Sequence, residues 1–422
     1  MKKSTKIKHT FLGLTLLLFS CQTVTEQNIY AQQNMTASVA NVKSTASTSG
    51  AHARVTKSTE SNRLLDFVDT NTTEAQQLIQ SLDSFYNIEV RNGFNGSVLV
   101  GYQGKVLYER YFGYANRSKK IPWDPSTPSQ LASTSKPFTA TAILWLHQHG
   151  YLNIYDEVSK YIEGFPYQKV TIEMLLNHRS GIPDYLKWAT RYWSRTKNMT
   201  NDDLLELMKK YKPRVNFTSG TRFEYSNSNY ALLASVLEEV TKLPYPKFMK
   251  EFIFEPLGLH NTFVYDPLEV KPLNLAISYK ANWQVDPDMY ADGIYGDKGI
   301  YSTVEDLYRW DRSFYSYVLL NPETLEMAYK GYSYERPGTR NYGLGWRMNE
   351  FPDGKKVIYH NGWWHGNNTV YFRFIQDDFT IVVLGNRYNR RIYKHSKAIH
   401  EIVQNMSNEA IDWEESGSPS SD

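Results

Sequence analysis

Ser133 and Lys136 stand three residues apart in the stretch LASTSKPFTA, residues 131–140. On a helix that spacing puts both side chains on one face. A serine hydroxyl is a poor nucleophile near neutral pH unless a base sits beside it, so the pair has the makings of an activated nucleophile. Helix capping explains the same letters. Ser and Thr are preferred at helix starts, where their oxygens satisfy first-turn N–H groups, and Pro137 is tolerated there. The pattern recurs at Ser194–Lys197 in a polar context with no apolar helix after it, which reads as surface. Two other short patterns carry polar chemistry. Tyr225-Ser226-Asn227 precedes an amphipathic run, where Asn227 or Ser228 is also a candidate cap, and a second Tyr-x-Asn lies at Tyr114–Asn116. His360-Asn361-Gly362 is the only H-x-G in the chain and follows an apolar run, so it also fits a polar turn between strands.

The elements that must position these residues are legible from pattern. Residues 96–116 hold two β-rich runs around a Gly-containing turn, a hairpin signal. A helix is expected from Ser133, with Phe138, Ala142, Ile143, Leu144 and Leu146 as its apolar face and Gly150 as its stop. Residues 151 to about 290 look mainly helical, and another helix is expected over 303–318. Three β-branched and aromatic runs follow at 355–360, 368–375 and 379–386, then a closing helix at 391–406. The expected fold class is therefore α/β (α+β): one antiparallel sheet built from both chain ends and flanked by helices, with a mainly helical second lobe. A cleft between the two is the expected place for a site.

The first twenty residues pair a basic start with a short apolar run, too short to span a bilayer and suited to export. Cys21, the sole cysteine, follows Leu18-Phe19-Ser20 and resembles a lipobox, in which the cysteine is lipidated, although Phe19 is bulkier than usual there. The alternative is an ordinary signal cut after Ala31 and a soluble periplasmic or secreted protein. The expected organisation is a signal peptide (1–20), a lipid-anchored, Ser/Thr/Gln/Asn-rich tether (21–60), a folded domain (61–406) and an acidic tail (407–422). The formal charge of +3 falls to −1 once Lys2, Lys3, Lys6 and Lys8 are removed, which gives no electrostatic reason for a nucleic-acid partner. The ten histidines show neither H-x-x-x-H nor H-E-x-x-H spacing, and no metal or other cofactor is expected.

Taken together and in this order, Ser133/Lys136, Tyr225/Asn227 and His360–Gly362 resemble the S-x-x-K, Y-x-N and K-T-G motifs of the serine β-lactamase and penicillin-binding-protein superfamily. Within it they look like the class C branch, which also holds D-alanyl carboxypeptidases, D-aminopeptidases and esterases. LLNHRSGIPDY (175–185), GDKGIYSTVEDLYRW (296–310) and YGLGW (342–346) are similar to other recurrent blocks, and the resemblance covers roughly residues 85–405. It implies a serine hydrolase working through an acyl-enzyme on Ser133, with Lys136 and Tyr225 in proton transfer and Asn227 holding Lys136 or substrate. The backbone N–H groups of Ser133 and Trp363 would form the oxyanion hole. Small esters, amides or D-amino-acid peptides, including peptidoglycan-derived ones, are the implied substrates. A β-lactamase, a D-alanyl-D-alanine carboxypeptidase and an inactive envelope-binding lipoprotein are the alternatives. Two departures bear on substrate. His360 replaces a lysine that binds substrate carboxylates and is only partly charged at neutral pH, and Asn361 replaces a small hydroxyl residue. Both point to neutral esters or amides over β-lactams, while Trp363 and Trp364 suggest an apolar acyl group or mere sheet packing. The implied setting is the cell envelope, with the membrane reached through the N-terminal lipid.

Overall fold

The computed structural model describes residues 65–266 and 274–404. The expected signal peptide, Cys21, the tether and the acidic tail lie outside the described residues. Strands β1 (Gly96–Tyr102), β2 (Lys105–Phe112), β3 (Arg340–Tyr342), β4 (Arg347–Glu350), β5 (Lys356–Trp364), β6 (Asn367–Phe374) and β7 (Phe379–Gly385) form one sheet in the order β2-β1-β7-β6-β5-β4-β3. Every pairing is antiparallel. The sheet closes the two ends of the chain on each other, with Val98 of β1 opposite Val383 of β7. Gln103 and Gly104 both take positive φ between β1 and β2, the conformation that a two-residue hairpin loop requires.

Helices α1 (Thr73–Arg91), α2 (Ser135–Gln148), α3 (Asn201–Tyr211), α4 (Asn227–Thr241), α5 (Val304–Tyr315) and α6 (His395–Gln404) flank this sheet or build the helical region. Because side chains alternate along a strand, each strand serves two layers. Val98, Val100, Phe372, Ile381 and Val383 meet Leu82 and Tyr86 of α1 and Ile399 of α6 on one face. On the other face Trp310 of α5 stacks on Phe138 of α2 with centroids 3.6 Å apart, and reaches Trp346 and Tyr371 at 5.5 Å each. Truncating such a buried aromatic costs about 3–5 kcal/mol, so α2 is held rigidly against the sheet.

Several expected boundaries shift for physical reasons. The helix expected from Ser133 begins as a 3₁₀ turn, Ala132–Thr134, and becomes α-helical only at Ser135. It ends at Gln148, and Gly150 takes φ +75° just beyond, as expected of a terminating glycine. The closing segment divides into a 3₁₀ turn, Arg390–Lys394, and α6. Strand β5 runs four residues past its expected end, so His360-Asn361-Gly362 lies inside a strand and is not a turn. The reason is the partner: β6 continues alongside as far as Asn367 opposite Trp364.

Candidate active site

Ser133 owes its position to an unfavourable backbone. Ala132, immediately before it, has φ +50°, a left-handed conformation that costs a non-glycine residue energy. Neither Leu131 nor Thr134 makes a side-chain cap bond, so the capping reading of this serine-rich stretch fails. Strand β5 braces the turn from the side. It leaves β4 after Tyr359, and Gly362 then packs so tightly that a Cβ there would lie 2.2 Å from the Leu131 carbonyl. Only glycine fits.

Lys136 is fully buried, and its Nζ makes three contacts. It lies 2.8 Å from Asn227 Oδ1, 2.9 Å from the Asp297 carbonyl and 3.1 Å from Ser133 Oγ. The first two partners are pure acceptors and must receive N–H. A neutral amine has two N–H groups and one lone pair. In its neutral form the amine would have both N–H groups taken by these acceptors and its lone pair left for the serine proton. Asn227 opens α4 without capping it, since the helix has no side-chain cap bond. Its Nδ2 and backbone N–H both donate to Asp184 Oδ2, at 2.8 and 3.1 Å, which fixes the amide with its oxygen toward Lys136. Burial holds the Asp184 carboxyl above its usual range, against the backbone N–H groups of Asn227 and Leu186 that favour its charge.

Tyr225 completes the cluster: its ring centroid is 4.9 Å from Lys136 Nζ and 4.3 Å from the His178 ring. Behind it runs a buried hydrogen-bond chain with a defined direction. His178 Nδ1 accepts from the Ser226 N–H and from Asn229 Nδ2, at 3.3 and 3.0 Å, so its proton sits on Nε2. That Nε2–H donates to the Tyr342 hydroxyl at 3.2 Å, and Tyr342 donates to His360 Nε2 at 3.4 Å. His360 Nδ1 donates to the Asn361 carbonyl at 2.8 Å. Burial, reinforced by the charges of Lys136 and Arg347, holds both imidazoles well below the usual histidine range. Both are neutral.

Three expectations are corrected here. His360 is 0% exposed, so it neither meets a substrate carboxylate nor carries partial charge. Asn361 is buried on the opposite sheet face, opposite Val370 of the α1–α6 core, because neighbouring strand residues point to opposite faces. The Trp363 side chain also leaves the site: it leans on Tyr388 and donates Nε1–H to the His365 carbonyl. Only its backbone remains a candidate. Trp364 stays on the site face, with its indole N–H on Asp292 Oδ1 at 2.5 Å.

The structure adds residues that the motifs did not name. Arg347 sets its guanidinium 5.0 Å from the Tyr225 ring centroid and, among the described residues, has no carboxylate within ion-pair distance. Asp184, Tyr185 and His178 lie in the 175–185 block, Asp297 and Lys298 in the 296–310 block, and Tyr342 in the 342–346 block that Arg347 follows. Membership in those blocks was the available signal. No group of His, Cys, Asp and Glu among the described residues could hold a metal ion. The assembly can move a proton from a serine oxygen to a lysine nitrogen within one hydrogen bond.

Comparison with known proteins is consistent with this arrangement. A family profile described as β-lactamase matches residues 88–403. A penicillin-binding protein of Bacillus subtilis (strain 168) is 33% identical over 335 residues, which cover 76% of this chain and 74% of that one. The crystal structure of a penicillin-binding protein from Bacillus halodurans shares the fold at TM-score 0.64 and 22% identity, covering 76% of this chain and 98% of that one. A D-amino acid amidase from Ochrobactrum anthropi SV3 superposes at TM-score 0.63 and 21% identity, covering 80% of this chain and all of that one.

Proposed function

This chain belongs to the β-lactamase family, a family of serine hydrolases, and we propose that it forms an acyl-enzyme on Ser133. The observation that carries this is the 3.1 Å contact between Lys136 Nζ and Ser133 Oγ, with the other two lysine contacts made to pure acceptors. Ser133 Oγ attacks the substrate carbonyl carbon while its proton passes to Lys136. The oxyanion is met by the backbone N–H groups of Ser133 and Trp363, each worth about 3–4 kcal/mol of transition-state stabilisation. Collapse expels the alcohol or amine, which takes a proton relayed from Lys136 by Tyr225. Water then repeats the sequence on the acyl-enzyme, with proton movements reversed. Asn227, locked by Asp184, holds Lys136 in line.

Small esters, amides and D-amino-acid peptides remain the substrate classes. Arg347 favours a second, narrower reading, a D-alanyl-D-alanine carboxypeptidase. With His360 buried and neutral, Arg347 is a permanent cation beside Tyr225 that suits a substrate carboxylate. A panel of p-nitrophenyl esters, nitrocefin and D-amino-acid peptides separates these readings, with a fluorophosphonate probe to report the nucleophile. Absence of labelling in wild type would mean a binding protein rather than an enzyme. We further propose that the chain is exported to the cell envelope and anchored through a lipid on Cys21. Mass spectrometry of the mature N-terminus tests this, and an unmodified terminus near Gln32 would mean a soluble exported protein.

A further inference from the structure

A second lysine shares Asp297 with Lys136, and the acyl-transfer chemistry above makes no use of it. Lys298 is 3% exposed, and its Nζ sits 3.3 and 3.4 Å from the two carboxylate oxygens of Asp297 and against the Tyr185 hydroxyl. Tyr185, fully buried, donates to Asp297 Oδ2 at 3.0 Å. The Trp364 ring closes the other side, with its centroid 4.9 Å from the ammonium. Asp297 is thus engaged by two lysines at once: Lys298 on its carboxylate and Lys136 on its backbone carbonyl. A buried ion pair is a poor stabiliser, because apolar side chains of similar volume often serve as well or better. Stability alone gives little reason for a charge here.

We propose that Lys298 is a positioning residue for Lys136: through Asp297 it fixes the carbonyl that orients the catalytic amine, and its charge opposes a second positive charge on Lys136. This rests on the reading of Ser133 as nucleophile. Two ammonium groups close together in a desolvated site repel, and a lysine beside another cation gives up its proton more readily. Burial, with Lys136 nearby, holds the Lys298 ammonium below the usual lysine range, and the Asp297 and Asp292 carboxylates work against that shift by favouring its charge. The other titratable or charged groups around Lys136 are Asp184, Tyr225, Tyr230, His178, His360 and Arg347. Neutral His178 and His360 add no charge at neutral pH. In the step that Lys298 supports, the Ser133 O–H breaks, Oγ bonds the acyl carbon, and Lys136 carries the proton until the leaving group takes it.

The test is kcat/KM against pH on one p-nitrophenyl ester for wild type, Lys298→Met, Lys298→Arg and Asp297→Asn. Lys298→Met is expected to move the acid limb up by about one pH unit and to lower kcat/KM about tenfold at neutral pH, with KM nearly unchanged. Lys298→Arg should restore most of the loss. Asp297→Asn keeps the carbonyl but removes the counter-charge, so its limb should move down. A uniform loss in Lys298→Met with the limb unmoved overturns the proposal. If that variant does not fold, Asp297→Asn decides alone, and a limb that stays or rises overturns it. Fluorophosphonate labelling of wild type and Ser133→Ala separates the two levels. Labelling at Ser133 with coincident limbs sinks only the role of Lys298, whereas no labelling at Ser133 sinks the hydrolase reading and this one with it.

Discussion

Two Ser-x-x-Lys tetrads in one chain share a pattern and little else. At Ser133–Lys136 the lysine is fully buried, and its three contacts are one serine oxygen and two fixed acceptors. At Ser194–Lys197 both residues are exposed. The serine shares a hydrogen bond with Thr196 at 2.9 Å, and the lysine ammonium lies 4.6 Å from the centroid of the Trp193 ring. Water can solvate that ammonium freely, and among the described residues no buried acceptor fixes its position. Spacing puts a serine and a lysine one turn apart in both places, but only at Ser133–Lys136 do the two side chains meet. Only the first has a buried carbonyl, a locked asparagine and a strained residue holding the serine forward. Surroundings, rather than the tetrad, make the candidate nucleophile.

The largest effects should come from breaking the first tetrad. Ser133→Ala and Lys136→Met are each expected to lower kcat on a p-nitrophenyl ester by about 10³-fold or more, and Ser133→Ala to abolish probe labelling. Equal losses in Ser194→Ala would instead make the buried surroundings irrelevant. Next comes Arg347→Met. Loss of a charge-assisted contact of about 1.5–3 kcal/mol should raise KM roughly ten- to a hundredfold for substrates with a free carboxylate and leave neutral esters almost unaffected. A parallel rise for both classes would remove Arg347 from carboxylate binding.

Tyr342→Phe sharpens the comparison through stability. It leaves the His178 Nε2–H and His360 Nε2 without their shared partner, for a cost of about 1–3 kcal/mol in urea unfolding. No change in the midpoint would mean that the chain behind Tyr225 contributes nothing. The same two imidazoles set a pH dependence. Each is held well below the ordinary value of 6.5 in the folded state by burial, so the unfolded chain binds more protons once the pH falls below about 6.5. Their contribution is complete above that value and is lost as the pH falls. The urea midpoint should drop between about pH 7.5 and about pH 5, and His178→Gln should flatten that drop. The smallest effect belongs to Ser194→Ala, expected within about 0.5 kcal/mol of wild type in stability and unchanged in rate.

How much could be read beforehand varies from element to element. The hairpin of β1 and β2 and the strands β5, β6 and β7 were legible because alternating β-branched and aromatic residues have few other uses. β3 and β4, with three and four residues, were too short to show a period. α1 went unread, although Thr72 caps it by accepting from the Ala75 N–H at 3.2 Å. Among the site residues, Ser133 and Lys136 were suggested by type and spacing, Tyr225 and Asn227 by the resemblance to the family's motifs, and the structure brings all four together. His360 was found and misread, because a motif gives the position of a side chain along a strand but not its depth.

The sequence by itself determined local matters: which segments pair as strands, which run as helices, and which residue types lie one turn apart. It also carried the family through three short motifs and the blocks between them. Depth and partnership were decided only by the tertiary structure. Burial took the charge from His360, and an adjacent strand placed Arg347 beside Tyr225. Asp184, Asp297 and Lys298 arrive from segments 48 to 162 residues from Lys136 in the chain to close around it. The physical reason is range. Hydrogen bonding within a helix or hairpin acts between near neighbours, whereas desolvation and charge coupling depend on every segment that packs against a group, wherever it lies in the chain.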